Sequence, residues 1–142
     1  MGIEVAIIHG REDRTSLPVR LSDYAVPIYR EDPLQSYLDI EAVVEAAKSV
    51  RADAVHPGYG FLAENPAFAS RLKDEGIVFI GPSSEVLELL GDKIQARSTM
   101  AAVGLPVAGG SDLPVENPDE ANLIASEIGY PCLLYTSDAA DE

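Results

Sequence analysis

The sequence predicts an α/β fold built on a largely parallel sheet, and three observations carry that prediction. Residues 5–8 (Val-Ala-Ile-Ile), 53–55 (Asp-Ala-Val) and 78–80 (Val-Phe-Ile) are short, mainly apolar runs of strand length, the pattern of strands buried on both faces. Between and after them lie segments with helical apolar spacing and readable caps. Strand and helix signals alternate, which sets the strands parallel with helical crossovers between them.

Each element has its own local reason. Residues 25–29 read as an edge strand, because Pro27 has no N–H to give to a ladder on both sides. Ile40, Val43, Val44 and Ala47 fall at i, i+3, i+4 and i+7, an apolar stripe that packs on a sheet. Asn65 is an N-cap with Pro66 in the first helical turn, and Gly76 closes that helix. Ser83 or Ser84 starts the next, with Val86, Leu87 and Leu90 inward and Gly91 as its stop. Residues 92–103 continue as a helix ended by Gly104 and Pro106. The run Asn117, Pro118, Asp119, Glu120 has the form of a capping box, followed by Ala121, Ile124, Ala125 and Ile128 in helical register. Residues 108–114 (Ala-Gly-Gly-Ser-Asp-Leu-Pro) form the loop expected to connect the sheet-based body to whatever follows.

Composition bounds the partners. A chain of 142 residues, 46% of them apolar, has enough material for one ordinary domain with a core. Its 24 acidic against 10 basic residues give a net charge of −14, the wrong sign for nucleic acid or an anionic membrane. An anionic ligand needs only a local focus of cations and amides, and Lys93 and Arg97, one helical turn apart, are the candidates. Cys132 is the single cysteine, which rules out an internal disulfide and a cysteine metal cluster and fits a reducing, cytoplasmic setting. No run approaches the ~18 apolar residues that span a bilayer.

Two places carry possible chemistry. His56, Pro57, Gly58, Tyr59 and Gly60 follow directly on the apolar residues 54–55, and open parallel sheets bind ligands at the carboxyl ends of their strands. The glycines on either side of Tyr59 allow a sharp turn that presents its ring; a turn in which His56 and Tyr59 only satisfy local hydrogen bonds is the alternative. Lys93 is a compact cation with up to three donors for phosphate oxygens, or else a solvated lysine in a first helical turn, where the dipole disfavours it. Paired carboxylates, a Ser-His-Asp set, a nucleophilic cysteine and metal-ligand spacing are not found as patterns, and His9 and His56 are far apart in sequence.

Residues 56–65 (His-Pro-Gly-Tyr-Gly-Phe-Leu-Ala-Glu-Asn), 79–82 (Phe-Ile-Gly-Pro) and 91–93 (Gly-Asp-Lys), in that order, resemble the amino-terminal part of biotin carboxylase. That family supplies the ATP-dependent subunit or domain of acetyl-CoA, propionyl-CoA, methylcrotonyl-CoA and pyruvate carboxylases. The resemblance covers residues 1–131. It implies a Rossmann-like pre-ATP-grasp domain over 1–90 that lacks its first β-α unit, and the start of an ATP-grasp region over 91–131. It also implies that Lys93 contacts ATP and that His56, Gly58, Tyr59 and Gly60 line the active-site cleft without a catalytic role. The complete enzyme is expected to use ATP with magnesium, bicarbonate and biotin. Its expected partners are a biotin carboxyl carrier protein or domain and a carboxyltransferase, with a homodimeric assembly common in the family.

The chain also departs from the family pattern. The family continues past Pro131 into a strand with an ATP-binding lysine and a glycine-rich phosphate loop, whereas Tyr135 stands at that lysine's position here and no glycine follows. Residues 132–142 look like a foreign tail, the translated read-through of a sequencing adapter; a divergent natural terminus is the alternative. The expectation is therefore a fragment truncated at both ends and inactive on its own. A carbamoyl-phosphate synthase-like ATP-grasp ligase and a non-enzymatic α/β interaction module are the rival readings; a dinucleotide-binding domain fits less well, with no G-x-G-x-x-G after the first strand.

Overall fold

The computed structural model describes residues 2–111 and 113–134. Tyr135 and the rest of the tail up to residue 142 lie outside the described residues, as does Asp112 in the 108–114 loop. The chain forms two compact units, Met1–Leu87 and Glu88–Glu142.

The first unit alternates strands and helices: β1 (Ala6–His9), α1 (Leu17–Leu21), β2 (Tyr24–Pro27), α2 (Pro33–Leu38), α3 (Ile40–Ser49), β3 (Ala54–Val55), α4 (Pro66–Asp74) and β4 (Val78–Phe79). The strands pair in parallel, β1 with β2 and β3 with β4, with Ile8 opposite Val26 and Val55 opposite Phe79. The α/β architecture with parallel strands and flanking helices is thus realised in two two-stranded ladders. Among the described residues β2 pairs only with β1, the edge position that Pro27 dictates.

The core is made where α3 and α4 meet the strands. Val43, Val44, Ala46 and Ala47 of α3, Phe68 and Leu72 of α4, and Ile28, Leu62 and Ile77 from adjoining segments form one buried cluster, with Ile8, Val26, Val55 and Phe79 packed against it. Phe68 meets Phe79 edge-on, with ring centroids 5.9 Å apart at 89°, a geometry that suits aromatic quadrupoles. Arg71 of α4 bridges Glu41 of α3 at 2.9 Å and Glu75 at 2.6 Å. Arg71 first, then Lys48, holds the Glu75 carboxyl below its ordinary range.

Expected burial on both faces of the strands is corrected here. Side chains alternate along a strand, and in β4 only one side is covered: Val78 is 61% exposed while its neighbour Phe79 packs inward, whereas in β1 neighbouring Ile7 and Ile8 are both half-buried. Val5, Tyr24 and Ile80 are exposed as well. The run at 78–80 is therefore continuous in sequence but one-sided in its packing.

Helix ends follow the sequence closely. Asn65 accepts the Phe68 N–H at 3.0 Å and so caps α4, and Gly76 at φ +73° follows its last turn. Asp39, not singled out from sequence, caps α3 by accepting the Ala42 N–H at 2.9 Å and also pairs with Arg30. Sequence reading also missed α1 and α2, which are five and six residues long, too short for a periodic signal.

α5 (Ser84–Gly91) runs across the boundary between the units, and α6 (Lys93–Ala102) and α7 (Pro118–Ile128) belong to the second. α5 starts and stops where expected, but Val86 and Leu90 are exposed and Leu87 is half-buried, so that helix has no buried residue. Its apolar stripe is at most half-covered among the described residues, with Leu89 the other half-buried leucine. Asn117 caps α7 by accepting the Glu120 N–H at 3.0 Å. The reciprocal carboxylate of Glu120 accepts from Glu116 rather than from Asn117, at 2.9 Å, a capping box shifted by one residue. The 108–114 loop is not where the two units divide. It lies inside the second unit, where Arg97 Nη1 donates to the Ser111 carbonyl at 2.6 Å.

Two consequences are measurable. The uncovered strand faces should drive concentration-dependent association, visible by sedimentation velocity and reduced by a Val78→Thr, Ile80→Thr double change; a strictly monomeric profile across concentrations would contradict this. Asp39 has its carboxyl held below the ordinary value of 3.8, first by the Ala42 N–H and then by Arg30. A lowered folded-state pKa contributes stability that is present above the unfolded value and lost as pH falls. Asp39→Ala should cost about 1 kcal/mol at neutral pH, and the gap to the parent chain in urea titrations should close as pH drops below about 4.

Candidate functional site

The carboxyl ends of β1, β2 and β3 carry the loops that concentrate polar and aromatic groups. After β3, His56 is exposed and its Nδ1 accepts the Gly58 N–H at 3.0 Å, which fixes the ring hydrogen on Nε2. Gly58 and Gly60 have φ of +74° and +68°, the left-handed region in which a Cβ is strained. Between them Tyr59 projects outward, 94% exposed. The Gly60 carbonyl then accepts from Ala63 at 2.9 Å, and Leu62 drops into the core. His56, Gly58, Tyr59 and Gly60 are thus brought together on one tight, glycine-hinged turn.

Lys93 stands in the second unit as the first residue of α6, with its side chain exposed. Its helix end is already capped: Asp92 accepts the Gln95 N–H at 2.9 Å. A phosphate here would meet the lysine side chain and a carboxylate, rather than an open row of backbone amides. Arg97, the other cation considered from sequence, directs Nη1 to Ser111.

Sequence reasoning missed a second cluster. His9 is buried at the end of β1 and its Nδ1 lies 2.8 Å from the Gly10 carbonyl, so this ring carries its hydrogen on Nδ1, opposite to His56. Its edge meets the Tyr29 ring at 6.1 Å, and the Arg11 guanidinium lies 5.4 Å over the same ring. The Tyr37 hydroxyl accepts the Gly10 N–H at 2.7 Å and donates to Asp13. Burial first, then the Asp13 carboxylate, raises the Tyr37 hydroxyl above its ordinary pKa. Arg11, Glu12, Tyr29, Arg30, Glu31 and Ser36 line a cleft of about 370 Å³ beside this network. The strand-end rule that drew attention to residues 56–60 applies equally to His9 and Gly10; Tyr37 and Asp13 had no such signal. Among the described residues no group of three His, Cys, Asp or Glu side chains could hold a metal ion, and no helix is long and apolar enough to cross a membrane.

Because nothing lies within 4 Å of a Cβ built on Gly60, a Gly60→Ala change tests backbone conformation alone. It should lower the unfolding free energy by about 1–2 kcal/mol, read from the shift in denaturation midpoint; no change would mean that the turn is not held at positive φ.

Comparison with known proteins places these features in a family. The family model described as biotin carboxylase, N-terminal domain, matches residues 1–87, and one described as carbamoyl-phosphate synthase L chain, ATP binding domain, matches residues 92–140. A biotin carboxylase of Pseudomonas aeruginosa is 42% identical over 135 residues, covering 94% of this chain and 30% of the relative. The propionyl-CoA carboxylase alpha chain of Mus musculus, a mitochondrial protein, is 42% identical over 137 residues, covering 96% of this chain and 19% of that protein. The chain therefore spans under a third of the length of these relatives. Among solved structures, the biotin carboxylase domain dimer of Hydrogenobacter thermophilus 2-oxoglutarate carboxylase, in complex with MgADP, ADP and bicarbonate, superposes with a TM-score of 0.84 at 44% identity, covering 92% of this chain and 28% of that one. Biotin carboxylase from Campylobacter jejuni, in a β-γ-ATP complex, gives 0.85 at 38% identity over 92% of this chain and 29% of its own. With its first 87 residues matched as a unit, the chain belongs to the biotin carboxylase N-terminal domain family.

Proposed function

We propose that this chain is the amino-terminal part of a biotin carboxylase, an ATP-dependent ligase that carboxylates biotin on a carrier protein or domain. The observation that supports it most is the order of the two matches, an N-terminal biotin carboxylase domain followed by an ATP-binding domain. The second match bears the name of carbamoyl-phosphate synthase, whose ATP-grasp layout is shared; the first 87 residues favour the carboxylase. In that reading residues 1–90 form the pre-ATP-grasp domain and 91–131 begin the ATP-grasp region; 132–142 are foreign to it on the residues they carry, although the ATP-binding match runs to residue 140. ATP, as its magnesium complex, activates bicarbonate as carboxyphosphate, which supplies CO2 to a biotin ring nitrogen. Homodimerisation, a carrier and a carboxyltransferase belong to the whole enzyme, and the setting is cytoplasmic.

Within that scheme Lys93 is a phosphate contact, and His56, Gly58, Tyr59 and Gly60 form a wall of the cleft with no proton-transfer role. One charge-assisted contact contributes roughly 1.5–3 kcal/mol, whereas even millimolar affinity needs about 4 kcal/mol. The chain by itself is accordingly inactive and a poor nucleotide binder. Calorimetric titration of residues 1–142 should detect no ATP binding below about 1 mM. A chain extended with the downstream ATP-grasp region should bind, and Lys93→Ala should weaken it roughly ten- to a hundredfold. Tight binding by residues 1–142 that is indifferent to Lys93→Ala would overturn both parts of the reading.

A further inference from the structure

We propose that Tyr37 is a positioning residue that clamps the turn carrying His56, Gly58, Tyr59 and Gly60, acting through Phe61. The proposal rests on the reading of that turn as a wall of the cleft, and its evidence is geometric. α2 is only six residues long, yet two of its side chains reach different loops. Ser36, almost wholly buried, accepts the Arg30 N–H at 3.0 Å after β2. The Tyr37 hydroxyl accepts from Gly10 after β1, and the Tyr37 ring lies against the Phe61 ring after β3, centroids 5.6 Å apart at 52°. Three loops at the carboxyl ends of three strands thus share one short helix.

The contact with Phe61 falls where the turn needs it. Phe61 sits at φ +46°, which costs about 1–2 kcal/mol for a residue with a Cβ. Such a conformation persists only where its surroundings over-determine it. Phe61 is more than half exposed, so the core does not fix it, although Leu62 beside it is buried. The Tyr37 ring is the aromatic partner that holds it. Gly10 is fitted to the same device: a Cβ there would come within 3.3 Å of the Tyr37 hydroxyl oxygen, tighter than ordinary contact, so any larger residue would push the hydroxyl back by a few tenths of an ångström. The hydroxyl anchors the ring from one loop, and the ring then restrains another.

Residue-resolved amide hydrogen exchange on the full chain separates these roles. Tyr37→Leu and Phe61→Leu should each speed exchange at Gly58 and Ala63 by roughly three- to tenfold, the range of an aromatic pair. The double variant should exchange no faster than the faster single, since both remove one contact. Tyr37→Phe keeps the ring but loses its hydroxyl anchor, so it should speed exchange at Gly10 and leave Gly58 and Ala63 better protected than in Tyr37→Leu. Core amides of Val44 and Leu72 should stay unchanged in all four. Unaltered exchange at Gly58 and Ala63 in Tyr37→Leu, or additive effects in the double variant, would overturn the clamp. Should Tyr37→Leu fail to fold, Phe61→Leu decides alone, because its ring is largely on the surface; unchanged exchange there overturns the proposal. Failure of the cleft reading shows elsewhere: in the extended chain, Tyr59→Ala would leave biotin carboxylation intact while the exchange pattern stood.

Discussion

One packing constraint organises the first unit: α3 and α4 can cover only one side of the strands, and the alternation of side chains decides what they cover. Val44, Phe68 and Leu72 are withdrawn from water at that interface, each burial contributing about 1.5–3 kcal/mol. Ile8, Val26, Val55 and Phe79 point to the same layer. A one-residue slip in either ladder would turn these inward side chains out and their exposed neighbours in. The parallel register, the placing of the loops and the angle at which β3 delivers its turn all follow from that single contact surface.

Local chemistry was legible where it acts over three or four residues. Asn65, Asn117 and the glycines at 76 and 104 mark helix ends in the sequence and do so in the structure, because a cap depends on its own turn of backbone. Sidedness was not legible. A run such as residues 78–80 is apolar throughout, and the sequence does not say whether a second layer exists to receive alternate side chains. The apolar stripe of α5 misled for the same reason, since periodicity gives a face but no partner for it. α1 and α2 were invisible because five or six residues complete scarcely more than one turn.

The functional turn shows the same division. Its glycine hinges could be read directly, since positive φ on both sides of Tyr59 is a backbone demand. The packing of Phe61 against Tyr37 and the burial of His9 could not, because each depends on residues brought from elsewhere in the chain. Tyr37 lies 24 residues before Phe61 and 27 after Gly10, and no spacing rule links such positions. The family relationship, by contrast, was carried by three short strings and extends over the first 87 residues.

Pro27 has an effect beyond marking the rim of a ladder. Tyr24 and Ile28 turn their amides toward β1, donating to Val5 and His9, so the alternate residues, Ala25 and Pro27, face away from it. Of these two only Ala25 has an N–H to offer. The outer margin of β2 is therefore a poor template for an incoming strand. Self-association of this chain should be stacking through its apolar faces, with fibril-like extension along β2 disfavoured by a single missing hydrogen.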